Sequence, residues 1–155
     1  MTTYRLLLCA GLALALLALV LRLEQHAAHA FVADPVRTPG VLNPDVSAAT
    51  LADTICKHGW TRTIRPPTTY TDALKRRQLR DYGLAGPLSG YQEDHLISLE
   101  LGGHPTDPRN LWPEPYPRAA RVDTIENELN AQVCSGALSL DAAQRKESEL
   151  KHTEG

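Results

Sequence analysis

At 155 residues with 43% hydrophobic side chains, the chain is long enough for one packed domain and too short for two once a leader is set aside. A net charge of −2 excludes a uniformly basic nucleic-acid binder, so any phosphate contact must come from a local patch. With one Met, one Phe and two Trp, few large side chains are available to build more than one core.

The N-terminus reads as an export signal. Arg5 precedes an uninterrupted apolar run of sixteen residues from Leu6 to Leu21, and Ala28-His-Ala30 supplies an Ala-x-Ala cleavage site. About 20 apolar residues are needed to cross a bilayer, and Arg22 cuts this run short. The polar stretch from Leu23 to Ala30 keeps an uncleaved membrane anchor as the alternative. Cys9, inside the apolar run, is a small apolar filler. The expected location is therefore periplasmic or secreted, with membrane contact only through residues 1–30 if they are not cleaved.

Residues 31–50 hold three prolines and no helical or strand period, which predicts an extended linker before a domain over 51–155. Thr69-Tyr-Thr-Asp72 reads as the cap of a helix from Asp72 to Tyr82, stopped by Gly83. Seven basic residues lie between Lys57 and Arg80 against one acid, Asp72; of these, Arg65, Lys75, Arg76, Arg77 and Arg80 are candidates to hold phosphates, the alternative being a solvated helix face. A strand is expected from Tyr91 to Leu101, a Gly102-Gly103 turn, and a short second strand around Asn110-Leu111-Trp112. Val122, Ile125, Leu129 and Val133 then recur as one apolar stripe of a helix, and a last helix begins after Ser139 and frays into the charged tail. Trp60 and Trp112 are expected in the core.

Removal of residues 1–30 leaves two cysteines, Cys56 and Cys134. In an exported chain they read as one disulfide, and closing a loop of about 80 residues is worth roughly 4 kcal/mol on the chain-entropy account.

The most informative string is Glu93-Asp-His-Leu-Ile-Ser-Leu-Glu-Leu-Gly-Gly-His-Pro-Thr-Asp-Pro-Arg-Asn-Leu-Trp112, in which an Asp-His pair is followed fifteen positions later by Asn110. Phosphodiester hydrolysis needs a deprotonated water and a cation to neutralise charge on the phosphate. A neutral imidazole near pH 7 takes the water's proton, and a carboxylate beside it suits a hard divalent ion. The order strand, strand, helix resembles the ββα-metal (HNH, or His-Me finger) nucleases. That resemblance implies an α+β fold, a small ββα-metal domain with flanking helices and one disulfide, with His95 as general base and Asn110 holding its imidazole. Asp94 is then the first ligand of a divalent ion, Mg²⁺ by preference and Mn²⁺ or Zn²⁺ otherwise. The helix supplies a second: the angle from the apolar stripe favours Glu126 and Asp123 over Asn127, and the resemblance, whose ligand lies near the helix start, ranks them Asp123, Glu126, Asn127.

The likeness extends over about residues 50–145. Thr54-Ile-Cys-Lys-His-Gly-Trp60, Arg65-Pro-Pro-Thr-Thr-Tyr70 and Val133-Cys-Ser-Gly136 are similar to those of a family of small exported bacterial HNH-like proteins. Three departures stand out: Val122-Asp123 where a Lys-Asp pair is expected, no C-terminal Trp, and no third His on the helix. The implied activity is that of an exported metal-dependent endonuclease, a monomer acting on DNA or RNA. The alternative is a non-catalytic envelope module, binding or structural, on an HNH-like scaffold. Neighbouring residues of a regular strand point to opposite faces, so Asp94 and His95 share a site only where the strand ends, bulges or twists.

Overall fold

The computed structural model describes residues 14–17, 19 and 32–154. It divides into two units, Met1–Ala30 and Phe31–Gly155. In the first, residues 14–17 and 19 are helical, with Leu14, Leu16, Leu17 and Leu19 exposed. The remainder of the expected export signal lies outside the described residues. Among the described residues, no helix is long and apolar enough to cross a membrane.

The second unit is mixed α and β. A short helix α1 (Trp60–Ile64) and a longer α2 (Thr68–Asp81) precede an antiparallel hairpin of β1 (Tyr91–His95) and β2 (Leu111–Pro115), and α3 (Tyr116–Cys134) and α4 (Leu140–Thr153) follow. The register pairs Asp94 with Trp112 and His95 with Leu111. Pro113 and Pro115 are tolerated in β2 because a two-stranded sheet has only edges. Gln92 reaches Asp123 of α3, whereas Glu93 lies in the field of Lys75 of α2, so the two helices take alternate residues of β1.

Several boundaries differ from expectation for identifiable reasons. The first strand stops at His95, not Leu101: the chain bends at Leu96 and Ile97 and closes a 3₁₀ turn over Leu99–Leu101, ended by Gly102 at φ 79°. Leu96, Ile97, Leu99 and Leu101 are all buried, and a short apolar run buried all round carries no period that separates strand from turn. Helix α2 begins at Thr68, ahead of the expected cap, after an extended Pro67 with no side-chain cap bond. Its stop is as expected, with Gly83 at φ 66°. Helix α4 starts on Ser139, whose side chain accepts from the Ala142 N–H. It continues through Thr153 where fraying was expected.

Residues 32–50 are turns and irregular backbone with one isolated bridge, Leu42 to Gly103, and they do not behave as an extended linker. Gly40 N–H donates to the Arg109 carbonyl (3.0 Å), Asn43 N–H to Gly102 (2.8 Å) and Ala33 N–H to Lys151 (2.9 Å), while His104 N–H donates to Val41 (2.7 Å). A segment without its own ladder has donors and acceptors to spare, and here they satisfy the irregular loop between the strands.

The core has two parts. Ile55, Ile97, Leu101, Leu129, Val133, Leu140 and Ala143 form one, with Ile125 and Trp60 packed at its edge; Ala33, Leu96 and Trp112 form the other. Cys56 and Cys134 are joined, with Cα atoms 5.5 Å apart, inside the window a disulfide allows. The bond closes a loop of 78 residues from the segment before α1 to the end of α3. Reduction should therefore cost about 4 kcal/mol, read as a fall in melting temperature by calorimetry with and without reductant. No fall would mean that the reduced chain already keeps these segments together.

Candidate metal and nuclease site

The end of β1 resolves the strand-alternation difficulty. Asp94 points toward α3, and because the strand terminates at the next residue, His95 turns into the same small cavity. That cavity, of about 40 Å³, is lined by Arg65, Gln92, Asp94, His95, Asp123 and Glu126 among others. Carboxylate oxygens of Asp94, Asp123 and Glu126 lie within 4.8 Å of one another. On α3, Val122 faces the core and Glu126 is buried one turn on, while Asp123 sits half-buried at the flank. Asn127, ranked third, is exposed and its amide donates to the Asp123 carbonyl.

His95 is 5% exposed. Its Nε2 lies 3.0 Å from the Pro105 carbonyl, which can only accept, so the proton belongs on Nε2 and Nδ1 keeps a bare lone pair. Burial pushes the imidazole down to about 4, which leaves it neutral throughout the neutral range.

Asn110 is completely buried, yet it does not touch the imidazole. Its Nδ2 donates to the Ile97 and His104 carbonyls (3.0 Å each), and its Oδ1 accepts from Ile97 N–H (3.0 Å) and Val41 N–H (3.4 Å). The expected direct hold on His95 is thus replaced by an indirect one. Asn110 fixes the loop 97–104, and the next residue of that loop presents its carbonyl to the ring. Gly103 is part of the same closure: a Cβ there would lie 1.7 Å from the Ile97 carbonyl oxygen, so no other residue fits.

Electrostatics around Asp94 involve residues the sequence did not single out. Lys151 of α4 places Nζ 2.7 Å from Asp94 Oδ2, 2.5 Å from Glu126 Oε1 and 3.3 Å from Glu147 Oε1. Glu114 of β2, on the same face as Asp94, is ion-paired to Arg118 one turn into α3, both nearly inaccessible. Burial raises the Asp94 carboxyl's pKa, but the charge and hydrogen bond of Lys151 lead the effects that outweigh it and hold the group down at about 2. Burial pushes Glu114 up to about 8, with Asp94's charge adding to the effect. It raises Glu126 and Glu147 as well, Lys151 only partly offsetting it. The sequence signal for both pairs is an i, i+4 acid–base spacing, Glu114 with Arg118 and Glu147 with Lys151, which is common on solvated helices and so passes unnoticed.

The donor set fits a hard divalent ion. All three converging groups are carboxylates, with neither cysteine nor histidine ligands, and buried carboxylates outnumber buried ammonium and guanidinium groups.

The basic candidates divide. Arg65 lines the cavity itself. Lys75, expected on the surface, is buried at 8% exposure, its ammonium donating to the Tyr91 carbonyl at 3.0 Å and lying 3.5 Å from Asp72, so it is committed to joining α2 to β1. Arg76, Arg77 and Arg80 are exposed on α2, although Arg80 donates to the Arg76 carbonyl. Arg77 lines a separate cleft of about 530 Å³ with Arg37 and Arg109, which are paired with Asp34 and Asp107. Trp112 is a core residue lying under the Arg118 guanidinium, whereas Trp60 is half-buried and packs at the edge of the core.

Comparison of the chain with protein-family models, curated proteins and solved structures gives no match.

Proposed function

We propose that the chain is an exported, metal-dependent HNH-type endonuclease that hydrolyses phosphodiester bonds of DNA or RNA. One observation carries this: the carboxylates of Asp94, Asp123 and Glu126 meet within 4.8 Å of one another in the cavity that also receives His95. Asp94, Asp123 and Glu126 would hold a divalent ion, Mg²⁺ or Mn²⁺ by their oxygen-only chemistry, which would supply charge neutralisation to the phosphate and its leaving oxygen. His95 Nδ1, neutral and unpartnered, takes the proton of the attacking water. Arg65, exposed at the rim, is placed to engage a non-bridging phosphate oxygen, and a guanidinium suits that role by its forked geometry. The disulfide and the Leu6–Leu21 run support an oxidising, exported setting.

The test is to incubate the purified protein with plasmid DNA and with RNA, adding Mg²⁺, Mn²⁺ or Zn²⁺ in parallel with EDTA. Cleavage that needs the metal is the expected result. Equal backgrounds in all lanes, contaminating nucleases excluded, would remove the enzyme from consideration.

One observation favours a second reading, a non-catalytic envelope module: Lys151 already supplies a positive charge to Asp94 and Glu126. Under it the protein would be inert on nucleic acid and indifferent to divalent ions.

A further inference from the structure

Lys151 arrives at the site from the last turn of α4, and its side chain is fully buried. An ammonium has three protons, and three oxygens stand ready for them: Asp94 Oδ2 at 2.7 Å, Glu126 Oε1 at 2.5 Å and the backbone carbonyl of His95 at 2.5 Å. Glu147 Oε1, at 3.3 Å, is already taken by the Ser98 N–H at 2.9 Å. A single group therefore grips one oxygen from each of two of the three converging carboxylates, together with the backbone of the histidine beside them.

The geometry points to Lys151 as a positioning residue: a built-in cation that keeps Asp94 and Glu126 assembled, and the end of β1 fixed, before any divalent ion binds. Its role toward a metal rests on the reading of this cavity as a metal centre. Glu126 keeps its second oxygen, while Asp94 Oδ1 and Asp123 Oδ1 share the amide of Gln92 at 3.3 and 3.2 Å, a neutral donor that an ion can displace, so three carboxylates still have donor atoms to offer. Without Lys151, buried Asp94, Glu126 and Glu147 would face one another uncompensated, an arrangement the interior does not tolerate. Stability would then depend on a divalent ion supplying the missing charge, as in domains whose folding is coupled to metal binding.

The experiment compares the full protein with Lys151→Met and with the double variant Lys151→Met, Glu126→Gln, in EDTA and in millimolar MnCl₂. In EDTA, Lys151→Met should melt about 10 °C or more below the parent. Manganese should return at least half of that loss while shifting the parent much less. The double variant should melt above Lys151→Met in EDTA, because removing one carboxylate with the cation restores balance; a lysine needed only for packing gives losses that add. A manganese-insensitive loss with additive effects overturns the inference, as does failure of both variants to fold with or without manganese. Calorimetric titration of the parent with manganese reports on the metal-centre reading separately, since the EDTA comparison of the two variants contains no metal.

Discussion

Replacing His95 by alanine should lower metal-dependent phosphodiester cleavage by at least about 10²-fold while leaving manganese affinity close to that of the parent. The separation follows from the side chain's position. His95 Nε2 is committed to the Pro105 carbonyl, and the imidazole is not among the converging carboxylate ligands, so its loss removes a base and not a metal ligand. Because burial holds the group near 4, it is neutral above that pH, and the variant should be as inactive at pH 6 as at pH 8. A small fall in melting temperature is expected from the unpartnered Pro105 carbonyl. Rates from initial plasmid nicking, paired with calorimetric manganese titration, make the comparison. Equal cleavage by variant and parent would refute the assignment of His95 and leave the module alternative standing.

Asn110→Ala should act mainly on the fold. Four backbone groups, Ile97 N–H and C=O, Val41 N–H and the His104 carbonyl, bond to this one amide at zero exposure. Leaving a buried polar group without a partner costs about 1–3 kcal/mol, so the variant should lose at least about 4 kcal/mol by denaturant titration. Asn110→Asp should be nearly as damaging, because a carboxylate cannot donate to the two carbonyls. A loss below about 1 kcal/mol would show that water or the N-terminal segment takes over those bonds.

These two residues illustrate what a linear pattern carries. Asp94 and His95 are legible because the chemistry needs an acid and a base together, and Asp123 and Glu126 are legible from their angle to the apolar stripe of α3 together with the family resemblance. The pairing of Cys56 with Cys134 followed from their being the two cysteines left after an export signal. Asn110 was found for its position, but its partners are backbone atoms of residues 41, 97 and 104, and no periodicity encodes a side chain that substitutes for a missing strand. Lys151 was invisible for a related reason. It sits in a tail of alternating charge whose local pattern is that of a solvated helix, and only the tertiary placement of α4 brings it under Asp94. Lys75 erred in the opposite direction, since a basic run on a helix does not reveal which member turns inward.

Both ends of the second unit meet at one place. Ala33 N–H bonds to the Lys151 carbonyl and His152 Nε2 to that of Thr38, while Val41 closes on His104 and Asn110. Contacts between residues more than a hundred positions apart form late, because the loop they close is long. The charge that balances Asp94 therefore comes from α4, far along the chain from β1, and before α4 docks the acidic residues are without their counter-ion. Loss of Lys151 would therefore unsettle the Asp94 carboxylate although the two lie more than fifty residues apart in sequence.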